Sequence, residues 1–556
     1  MQRHGGQLLI ESLIALGATK SFGVPGESYL AALDALHDTQ GQLDFILCRN
    51  EGGAAFAAAA WGKLTGSPGI CFVTRGPGAT NASIGVHTAM QDSAPMLIFV
   101  GQAGTDMRDR EAFQELNYRA VFGSMAKWVT EIDHVARIPE LLARAWSHAL
   151  SGRPGPVVIA LPEDMLSSHT DTAPLAAASE IVPPAPDPVA MARVESALSQ
   201  AHRPLVLIGG CNWDSTGQSA LQSFAEASDI PVVTAFRYQD QFDNFSDVYA
   251  GEAGVGMPAH VRSLLEEADV ILAINVRFGE MTTGAYEIFD VPQPRQMLLH
   301  VHPSDMEIGK IYQPRLGIQA GPNAFARALR PVQGAWQSWT ETARTGFLAS
   351  LQAPDQASPV DMVKVCAYLR EVLPDDAIVT NGAGNFAVWP NKFLTYGPKA
   401  RLLAPQSGAM GYGLPAAIAA KVACPDRTIL CFCGDGDFQM TCAELGTAMQ
   451  AGAQPIVLIL NNSSYGTIRA HQEKTYPGRV SGTDLQNPDF VALARAYGFH
   501  SEQVTRTEDF AAAFERATAS DTGAVLDVTV SAEAITPRTT LSQMRAAALA
   551  REGQSR

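Results

Sequence analysis

Short apolar runs alternate with alanine-rich stretches along almost the whole chain, and this alternation limits the possible folds more than any other feature. The apolar runs have the length of buried strands, and the stretches between them are long enough for helices. Strands are predicted at residues 45–47, 69–73, 96–100, 157–160, 205–208, 270–274, 297–301, 428–433 and 455–460, and helices at 54–64, 82–90 and 440–450. Because strands that alternate with helices form parallel sheets covered on both faces, we predict an α/β fold.

Two changes of composition divide the chain, which at 556 residues is too long for a single hydrophobic core. Residues 171–190 are rich in Ala, Pro and Asp, and residues 352–359 are rich in Pro, Gln and Ala. Both stretches have the composition of linkers. We therefore predict three domains, each a doubly wound parallel sheet, at residues 1–170, 190–335 and 358–545.

Bulk composition narrows the class of protein. The net charge of −16 argues against nucleic acid or an anionic membrane as a partner. No apolar run approaches the length of a membrane span, and Glu11 follows a very short apolar stretch, so we expect neither a spanning helix nor a signal peptide. The eight cysteines include no CxxC pair, which favours buried thiols in a reducing cytoplasm over a zinc site.

The most informative motif lies in the last domain. Gly434, Asp435 and Gly436 follow the strand predicted at 428–433. After a gap of 24 residues, Asn461 and Asn462 follow the strand at 455–460. Parallel strands end on the same rim of a sheet, where open α/β folds bind ligands. A carboxylate and an amide oxygen brought together there suit Mg²⁺, which prefers oxygen ligands and takes the rest of them from water and a diphosphate. A Gly-Asp-Gly triplet alone is also a common turn.

This pattern resembles the binding motif for thiamine diphosphate (ThDP), in which GDG is followed by some two dozen residues and then NN. The resemblance implies that Asp435, the side chain of Asn462 and the backbone carbonyl of Ser464 are ligands of Mg²⁺. It also implies cofactor contacts at the surrounding positions Gly434, Gly436, Asp437, Asn462, Tyr465 and Gly466. For Asp437, a role as a helix cap is the alternative.

Several motifs elsewhere in the chain are similar to those of the acetolactate synthase, pyruvate oxidase and benzoylformate decarboxylase family. They occur in the family's order at residues 23–26, 51–55, 75–81, 151–157 and 408–415. The resemblance covers nearly the whole chain and identifies the three domains as pyrimidine-binding, central and diphosphate-binding.

The resemblance assigns further roles. Met410 would support the bent cofactor, the Gly408 carbonyl would hold its amino group, and Glu51 would be the catalytic glutamate that hydrogen-bonds the pyrimidine ring. Gly384 and Asn385 match the segment around the diphosphate. In this family the pyrimidine and diphosphate sites belong to different subunits, which implies a homodimer or homotetramer with active sites at the interface. A glutamate before an alanine-rich helix is otherwise a common favourable charge at a helix N-terminus.

Within the family, the motifs are nearest to acetolactate synthase. Gln102 follows a predicted strand as in that group, residues 112–115 match its AFQE stretch, and Lys127 matches its next basic position. The implied reaction is decarboxylation of a 2-oxo acid followed by ligation to a second carbonyl compound. Phe113 and Gln114 would wall the acceptor side in a pocket poor in water. For Phe113, an ordinary core position is the alternative.

Two histidines depart from the synthase pattern. His471 stands where the synthase has the tryptophan that shapes its acceptor pocket, and His87 stands where it has an apolar residue. Either could donate a proton in the active site or be an ordinary structural histidine. The alternative functions are therefore a non-ligating 2-oxo acid decarboxylase, a 2-hydroxyacyl-CoA lyase and a catalytically silent homologue. The sequence does not name the donor, the acceptor or a regulatory subunit.

The central domain contains the segments that are relevant to a second cofactor, FAD. Residues 208–210 and 276–280 weakly resemble the FAD segments of synthases and oxidases, whereas residues 234–244 match them poorly. FAD is therefore possible but not favoured, and the alternative is a central domain without a cofactor.

Overall fold

The computed structural model describes residues 2–554 of the chain. Three parallel sheets of six strands follow one another along it, each flanked by helices. The predicted α/β class with three doubly wound domains is confirmed. In the described part of the chain, no helix is long and apolar enough to cross a membrane.

The first domain is built around a sheet with the strand order β3-β2-β4-β5-β7-β6 and a small antiparallel pair, β1 and β8. Its strands are β1 (Arg3–His4), β2 (Lys20–Gly23), β3 (Asp44–Leu47), β4 (Gly69–Val73), β5 (Met96–Gln102), β6 (Trp128–Glu131), β7 (Pro156–Pro162) and β8 (His169–Thr170). Its helices are α1 (Gly5–Ala15), α2 (Leu30–Asp38), α3 (Glu51–Thr65), α4 (Gly76–Asp92), α5 (Tyr118–Phe122), α6 (Ile138–Leu150) and α7 (Glu163–Ser167).

The central domain has the order β11-β10-β9-β12-β13-β14, which is the order of dinucleotide-binding folds. Its strands are β9 (Pro204–Ile208), β10 (Val232–Ala235), β11 (Tyr249–Ala253), β12 (Val270–Ile274), β13 (Met297–His302) and β14 (Leu316–Gln319). Its helices are α8 (Pro188–Ser199), α9 (Ser215–Ser228), α10 (Ala259–Glu267), α11 (Pro322–Ala328) and α12 (Gln337–Ser350).

The third domain has the order β16-β15-β17-β18-β20-β19. Its strands are β15 (Ile378–Asn381), β16 (Arg401–Leu403), β17 (Ile429–Gly434), β18 (Ile456–Asn461), β19 (His500–Val504) and β20 (Ala524–Thr529). Its helices are α13 (Met362–Val372), α14 (Val388–Phe393), α15 (Gly413–Ala423), α16 (Asp435–Gln439), α17 (Leu445–Ala451), α18 (Gly466–Thr475), α19 (Phe490–Ala496), α20 (Phe510–Ala519) and α21 (Leu541–Gln554).

The first and third domains share one topology that the sequence did not reveal. In both sheets the strands run second, first, third, fourth, sixth, fifth, counted along each domain from β2 and from β15. No repeat is recognisable in the sequence, because the two domains keep the same hydrophobic alternation with different residues. The chain therefore holds two structurally equivalent sheets with a different one between them.

These two equivalent domains pack through a shared core. Helix α3 of the first domain packs against α15 of the third, and both consist largely of buried Ala and Gly. Small side chains let two helices approach closely. One continuous hydrophobic core consequently runs from the first sheet through these helices into the third sheet, which fixes the start of α3 against the third domain.

The prediction of one continuous helix at 440–450 is wrong. The chain instead forms α16, a 3-10 turn at Cys442–Glu444, and then α17. Thr441 interrupts the helix with a φ of −140°, and its hydroxyl donates to the Gly411 carbonyl at 2.8 Å. This tertiary contact outweighs the helical preference of the segment. The strands predicted from the apolar runs are present with small changes at their ends.

Candidate active site

The turn after β17 places Asp435 at the carboxyl rim of the third sheet. Its side chain is buried, and burial raises the pKa of the carboxyl group. Asn487 donates to the Asp435 Oδ2 at 2.7 Å. A buried carboxylate with only neutral donors is poorly compensated, so the site favours a cation.

Strand β18 delivers the two asparagines beside this turn, because it pairs with β17 in a register that aligns Leu460 with Gly434. Asn461 donates to the Asp527 carboxylate at 3.0 Å and so ties β18 to β20. Asn462 continues to the rim, where its amide oxygen accepts the Ser464 N–H at 3.1 Å. The rim thus brings together a carboxylate, an amide and the backbone of Ser464, as predicted for the candidate Mg²⁺ ligands.

A second segment lies against the same rim. The backbone N–H of Asn385 donates to the Thr467 hydroxyl at 2.7 Å, and a Cβ added to Gly466 would lie 2.5 Å from the Asn385 Oδ1. The ring of Tyr465 packs so closely on Gly436 that a Cβ there would come within 2.4 Å of it. The predicted cofactor positions in these segments therefore form one connected surface, with Gly384 preceding Asn385.

Asp437 does not cap a helix; Gly434 occupies the N-cap position of α16. The Oδ1 of Asp437 accepts the Gly411 N–H at 2.9 Å and the Ala383 N–H at 3.0 Å. Burial raises the pKa of this carboxyl to about 7. In the structure Asp437 therefore joins the backbone before Gly384 to the backbone after Met410.

The loop with Gly408 and Met410 is held from several sides. The Lys63 ammonium donates to the Ala404 carbonyl at 2.7 Å, and Asp92 accepts the Gln406 N–H at 2.6 Å. Gly408 is exposed with a φ of +67°, and a Cβ there would meet no atom within 4 Å. The loop is therefore firmly fixed at its base and open at Gly408 and Met410.

Glu51 is the first residue of α3, and Asn50 caps this helix by accepting the Gly52 N–H at 2.8 Å. The Glu51 side chain is half-buried. Its Oε2 accepts a hydrogen bond from the Asn81 amide at 2.9 Å, which joins the motif at 51–55 to the one at 75–81. Among residues 2–554 no hydrogen bond links Glu51 to Asp435 or Asn462. The chain thus carries two separate half-sites.

The segment that matches AFQE lies over the start of α4. Gly76 donates its N–H to the Gln114 carbonyl at 2.9 Å, and Arg75 donates to the Phe113 carbonyl at 3.0 Å. Phe113 is 68 % exposed, so it is not a core residue of this chain. Gln114 has a φ of +63° and lines a cavity of about 650 Å³ at the carboxyl rim of the first sheet.

The other two positions taken from the synthase motif bind backbone carbonyls of the first domain. Gln102 is buried and donates to the Leu116 carbonyl at 2.9 Å. Lys127 donates to the Ser151 carbonyl at 2.7 Å, and burial lowers the pKa of its ammonium to about 8. Both hold backbone segments of the first domain.

His87 on α4 and His471 on α18 are both exposed. Within residues 2–554 neither imidazole takes part in a side-chain hydrogen bond. The structure therefore leaves both rings accessible and does not bring them into either half-site by a direct contact.

Groups near the carboxyl rim of the central sheet contact other parts of the protein. A Cβ on Gly210 would lie 2.0 Å from the Asn275 amide nitrogen. Arg277 donates to the Gln91 carbonyl, and Tyr238 donates to the Asp92 carbonyl at 3.2 Å. The strand order suits a dinucleotide, and two side chains that follow strands of this sheet, Arg277 and Tyr238, contact the first domain.

The described residues contain no cluster of three or more His, Cys, Asp or Glu side chains that could hold a metal. The Mg²⁺ ligands predicted at Asp435 would not form such a cluster, because the other two predicted oxygens belong to an amide and a backbone carbonyl. Sequence analysis missed Asn487, which lies 52 residues beyond Asp435 and belongs to no motif. It also missed Glu444, which contacts the backbone before Glu51.

Three family models match this chain in order. The thiamine pyrophosphate enzyme N-terminal TPP binding domain matches residues 3–121, the central domain matches residues 191–329, and the C-terminal TPP binding domain matches residues 382–528. The chain belongs to the thiamine pyrophosphate enzyme family.

Within this family the chain is similar to acetolactate synthases. It is 32 % identical to the acetolactate synthase large subunit of Parasynechococcus marenigrum over 95 % of this chain and 87 % of the relative. It is 30 % identical to the acetolactate synthase isozyme 2 large subunit of Escherichia coli over 95 % of both chains. The acetolactate synthase catalytic subunit of Saccharomyces cerevisiae mitochondria is 29 % identical over 95 % of this chain.

Proposed function

We propose that this protein is a ThDP- and Mg²⁺-dependent enzyme that decarboxylates a 2-oxo acid and ligates the product to a second carbonyl compound. The observation that carries the proposal is the pair of half-sites, Glu51 with Asn81 and Asp435 with Asn462 and Ser464. They occur in a chain whose relatives are named acetolactate synthases.

The diphosphate half-site fits the cofactor. Asp435, the Asn462 side chain and the Ser464 carbonyl would hold Mg²⁺, and a buried carboxylate that lacks a cationic partner supports this fit. Gly384, Asn385, Gly436 and Gly466 would surround the diphosphate, and the missing side chains of the three glycines let Phe386, Tyr465 and Asn385 pack closely beside it. When bound, ThDP supplies a thiazolium carbon that can carry the electrons released by decarboxylation.

The pyrimidine half-site would hold and transfer the proton at the pyrimidine ring. Glu51 would hold a proton at the pyrimidine ring nitrogen through a carboxyl oxygen that Asn81 does not occupy. Met410, on a loop fixed at its base by Lys63 and Asp92, would support the bend of the cofactor. A carboxyl in hydrogen-bonding reach of the ring is the requirement for general acid–base catalysis.

The segment at 112–115 would decide whether the reaction ends in ligation or in simple decarboxylation. Phe113 is exposed on the single chain, and a large apolar side chain in that position is suited to cover a site completed by a second subunit. Such a cover would exclude water. Protonation of the decarboxylated product would then be delayed, which favours its ligation to the second carbonyl compound. A homodimer or homotetramer is therefore part of the proposal, with Glu51 of one subunit serving the cofactor bound by the other.

We do not include FAD in the proposed function. Arg277 and Tyr238 link the rim of the central sheet, where a dinucleotide would bind, to the first domain. The two steps of decarboxylation and ligation involve no net oxidation, so the proposed reaction requires no flavin. A cytoplasmic location is proposed because none of the eight cysteines, all within the described residues, is in a disulfide.

Product analysis tests the proposal. The protein is incubated with ThDP, Mg²⁺ and a panel of 2-oxo acids that includes pyruvate, with and without added aldehydes. Carbon dioxide release with formation of an acyloin or of acetolactate is expected. Release of free aldehyde alone would show that the enzyme is a simple decarboxylase and not a ligating enzyme. The exposed His87 and His471 could supply the protons for that reaction. Absence of ThDP binding would overturn the proposal.

A further inference from the structure

Glu444 is a charged side chain at the contact between the third and the first domain. It ends the 3-10 turn at Cys442–Glu444, and it is only 1 % exposed. Its side chain leaves the third domain and reaches the turn at residues 48–50 of the first domain, some 395 residues away in sequence. No motif considered above includes it.

The carboxylate of Glu444 accepts hydrogen bonds from the two residues directly before Glu51. The backbone N–H of Asn50 lies 2.9 Å from its Oε1, and that of Arg49 lies 3.2 Å from both oxygens. The Thr447 hydroxyl donates to Oε2 from the same domain. A buried carboxylate thereby holds the backbone on the N-terminal side of Glu51.

The first turn of α3 is shaped to accept this carboxylate. A Cβ on Gly53 would lie 2.3 Å from the Glu444 Oε1. Glycine is unfavourable inside a helix, but here its missing side chain leaves the space that Glu444 fills. Glu444 and Gly53 therefore form a matched contact.

Arg49 adds a positive charge to the surroundings of Glu444. The Arg49 guanidinium lies alongside and donates to the Gly446 carbonyl at 3.0 Å and to the Gln450 Oε1 at 2.9 Å. Burial raises the pKa of the Glu444 carboxyl, while hydrogen bonds from Thr447, Arg49 and Asn50 oppose the rise. The hydrogen-bond set, with donors only, suits the ionised form.

We infer that Glu444 is a positioning residue for Glu51. Fixing the backbone of Arg49 and Asn50 fixes the direction in which the Glu51 side chain leaves α3, whereas Asn81 holds only one of its carboxyl oxygens. The inference rests on the proposed function, in which Glu51 must meet a pyrimidine ring nitrogen. A displacement of about 1 Å of a catalytic group can cost about 100-fold in rate.

The experiment uses the full-length protein loaded with ThDP and Mg²⁺ and measures hydrogen–deuterium exchange at the C2 position of the bound ThDP by quenched-flow NMR. Glu444→Ala frees both N–H groups and is expected to slow this exchange by about 100-fold. The dissociation constant for ThDP is expected to stay within a few-fold of the wild-type value, because Glu444 contacts none of the predicted diphosphate or Mg²⁺ ligands.

Asp361→Asn is the matched control. Asp361 is another buried carboxylate of the third domain, 3 % exposed, and its side chain accepts the Val363 and Gln356 N–H groups at 2.9 and 3.0 Å. It contacts no candidate active-site residue, so its exchange rate at C2 is expected to equal that of the wild type even if its thermal stability falls.

Two further variants separate positioning from stability. Glu444→Gln keeps one acceptor oxygen for Asn50 and Arg49, so exchange should be slowed by less than 10-fold. Gly53→Ala should push Glu444 aside and slow exchange on its own. In Gly53→Ala/Glu444→Ala the clash is absent, so the double variant should be no slower than Glu444→Ala, a non-additivity that general destabilisation would not produce.

The results that would refute the inference differ from those that would refute the proposed function. If wild-type protein binds ThDP and exchanges C2 rapidly, and folded Glu444→Ala and Gly53→Ala do the same, Glu444 does not position Glu51 and only the inference is lost. If Glu444→Ala does not fold, wild-type exchange in both Glu444→Gln and Gly53→Ala has the same meaning. If the wild type neither binds ThDP nor exchanges it, the proposed function is lost as well.

Discussion

Lys63 and Asp92 form an ion pair that is almost completely buried, with side chains 2 % and 1 % exposed and an Nζ–Oδ2 distance of 3.2 Å. Both belong to the first domain, on α3 and α4. Lys63 also donates to the Ala404 carbonyl, and Asp92 accepts the Gln406 N–H, so the pair holds the base of the loop that carries Met410. The Tyr238 hydroxyl donates to the Asp92 carbonyl and adds the central domain to this junction.

Breaking this pair is expected to destabilise the protein strongly. Lys63→Met leaves the Asp92 carboxylate buried without its cation, which costs about 3–5 kcal/mol of unfolding free energy. The thermal midpoint and the denaturant midpoint measure the loss. Glu140→Gln is the control, because its pair with Arg137 is exposed at the surface and should contribute little to the unfolding free energy. Equal stability of the two variants would contradict this prediction.

Asp435→Asn is expected to remove Mg²⁺-dependent binding of ThDP while the fold is kept. The amide lacks the charge that a divalent cation needs, so the dissociation constant measured by calorimetry with Mg²⁺ should rise at least about 100-fold. Asp527→Asn is the matched control, since Asp527 is a buried carboxylate on the neighbouring β20 that contacts Asn461. Wild-type affinity of Asp435→Asn would remove this residue from the metal site.

Glu51→Gln is expected to bind ThDP and Mg²⁺ normally and to lose turnover by about 100- to 10,000-fold, the range for removal of a general acid–base group. The amide cannot share a proton with the pyrimidine ring. Steady-state assay of carbon dioxide release and calorimetry of ThDP binding together test this separation. A variant that binds normally and turns over at the wild-type rate would show that the protein does not use Glu51, and would favour another base.

The link between Glu473 on α18 and Arg545 on α21 predicts a pH dependence. The Arg545 guanidinium donates to the Glu473 carboxylate at 2.8 Å, and this hydrogen bond lowers the pKa of Glu473 from its usual 4.5 to about 2. A lowered carboxyl pKa stabilises the folded form fully above the unfolded pKa. The contribution is lost as the pH falls from about 4.5 towards about 2.

Hydrogen exchange of the α21 amides measures this contribution locally. At pH 7, Glu473→Gln should expose α21 to faster exchange than the wild type. The difference between the two proteins should shrink as the pH is lowered from about 4.5. A difference that does not change with pH over this range would assign the stability to packing of Ile535, Leu541 and Met544 instead.

The purified protein is expected to carry no FAD. The rim of the central sheet is bridged to the first domain by Arg277 and Tyr238, so a dinucleotide would have to break these contacts. Absorbance in the flavin bands measures bound cofactor directly, and dialysis against FAD followed by the same measurement excludes loss during purification. Stoichiometric flavin that survives gel filtration would contradict this prediction.

Much of the fold could be predicted from local pattern. The apolar runs marked strands such as β4 and β12 without error at either end, because a buried parallel strand is hydrophobic on both faces. The helix at 440–450 failed for a tertiary reason, since Thr441 hydrogen-bonds the distant Gly411 carbonyl and breaks the helix there. The shared strand order of the first and third sheets is invisible to any local pattern.

The candidate site divides in the same way. The sequence by itself determined that Asp435 and Asn462 lie on the same rim, because neighbouring parallel strands end there and each residue follows its strand directly. Only the tertiary structure showed that Glu444 holds the turn before Glu51 and that Asp437 joins Ala383 to Gly411. Such contacts depend on how two domains pack, and the packing of surfaces hundreds of residues apart leaves no periodic trace along the chain.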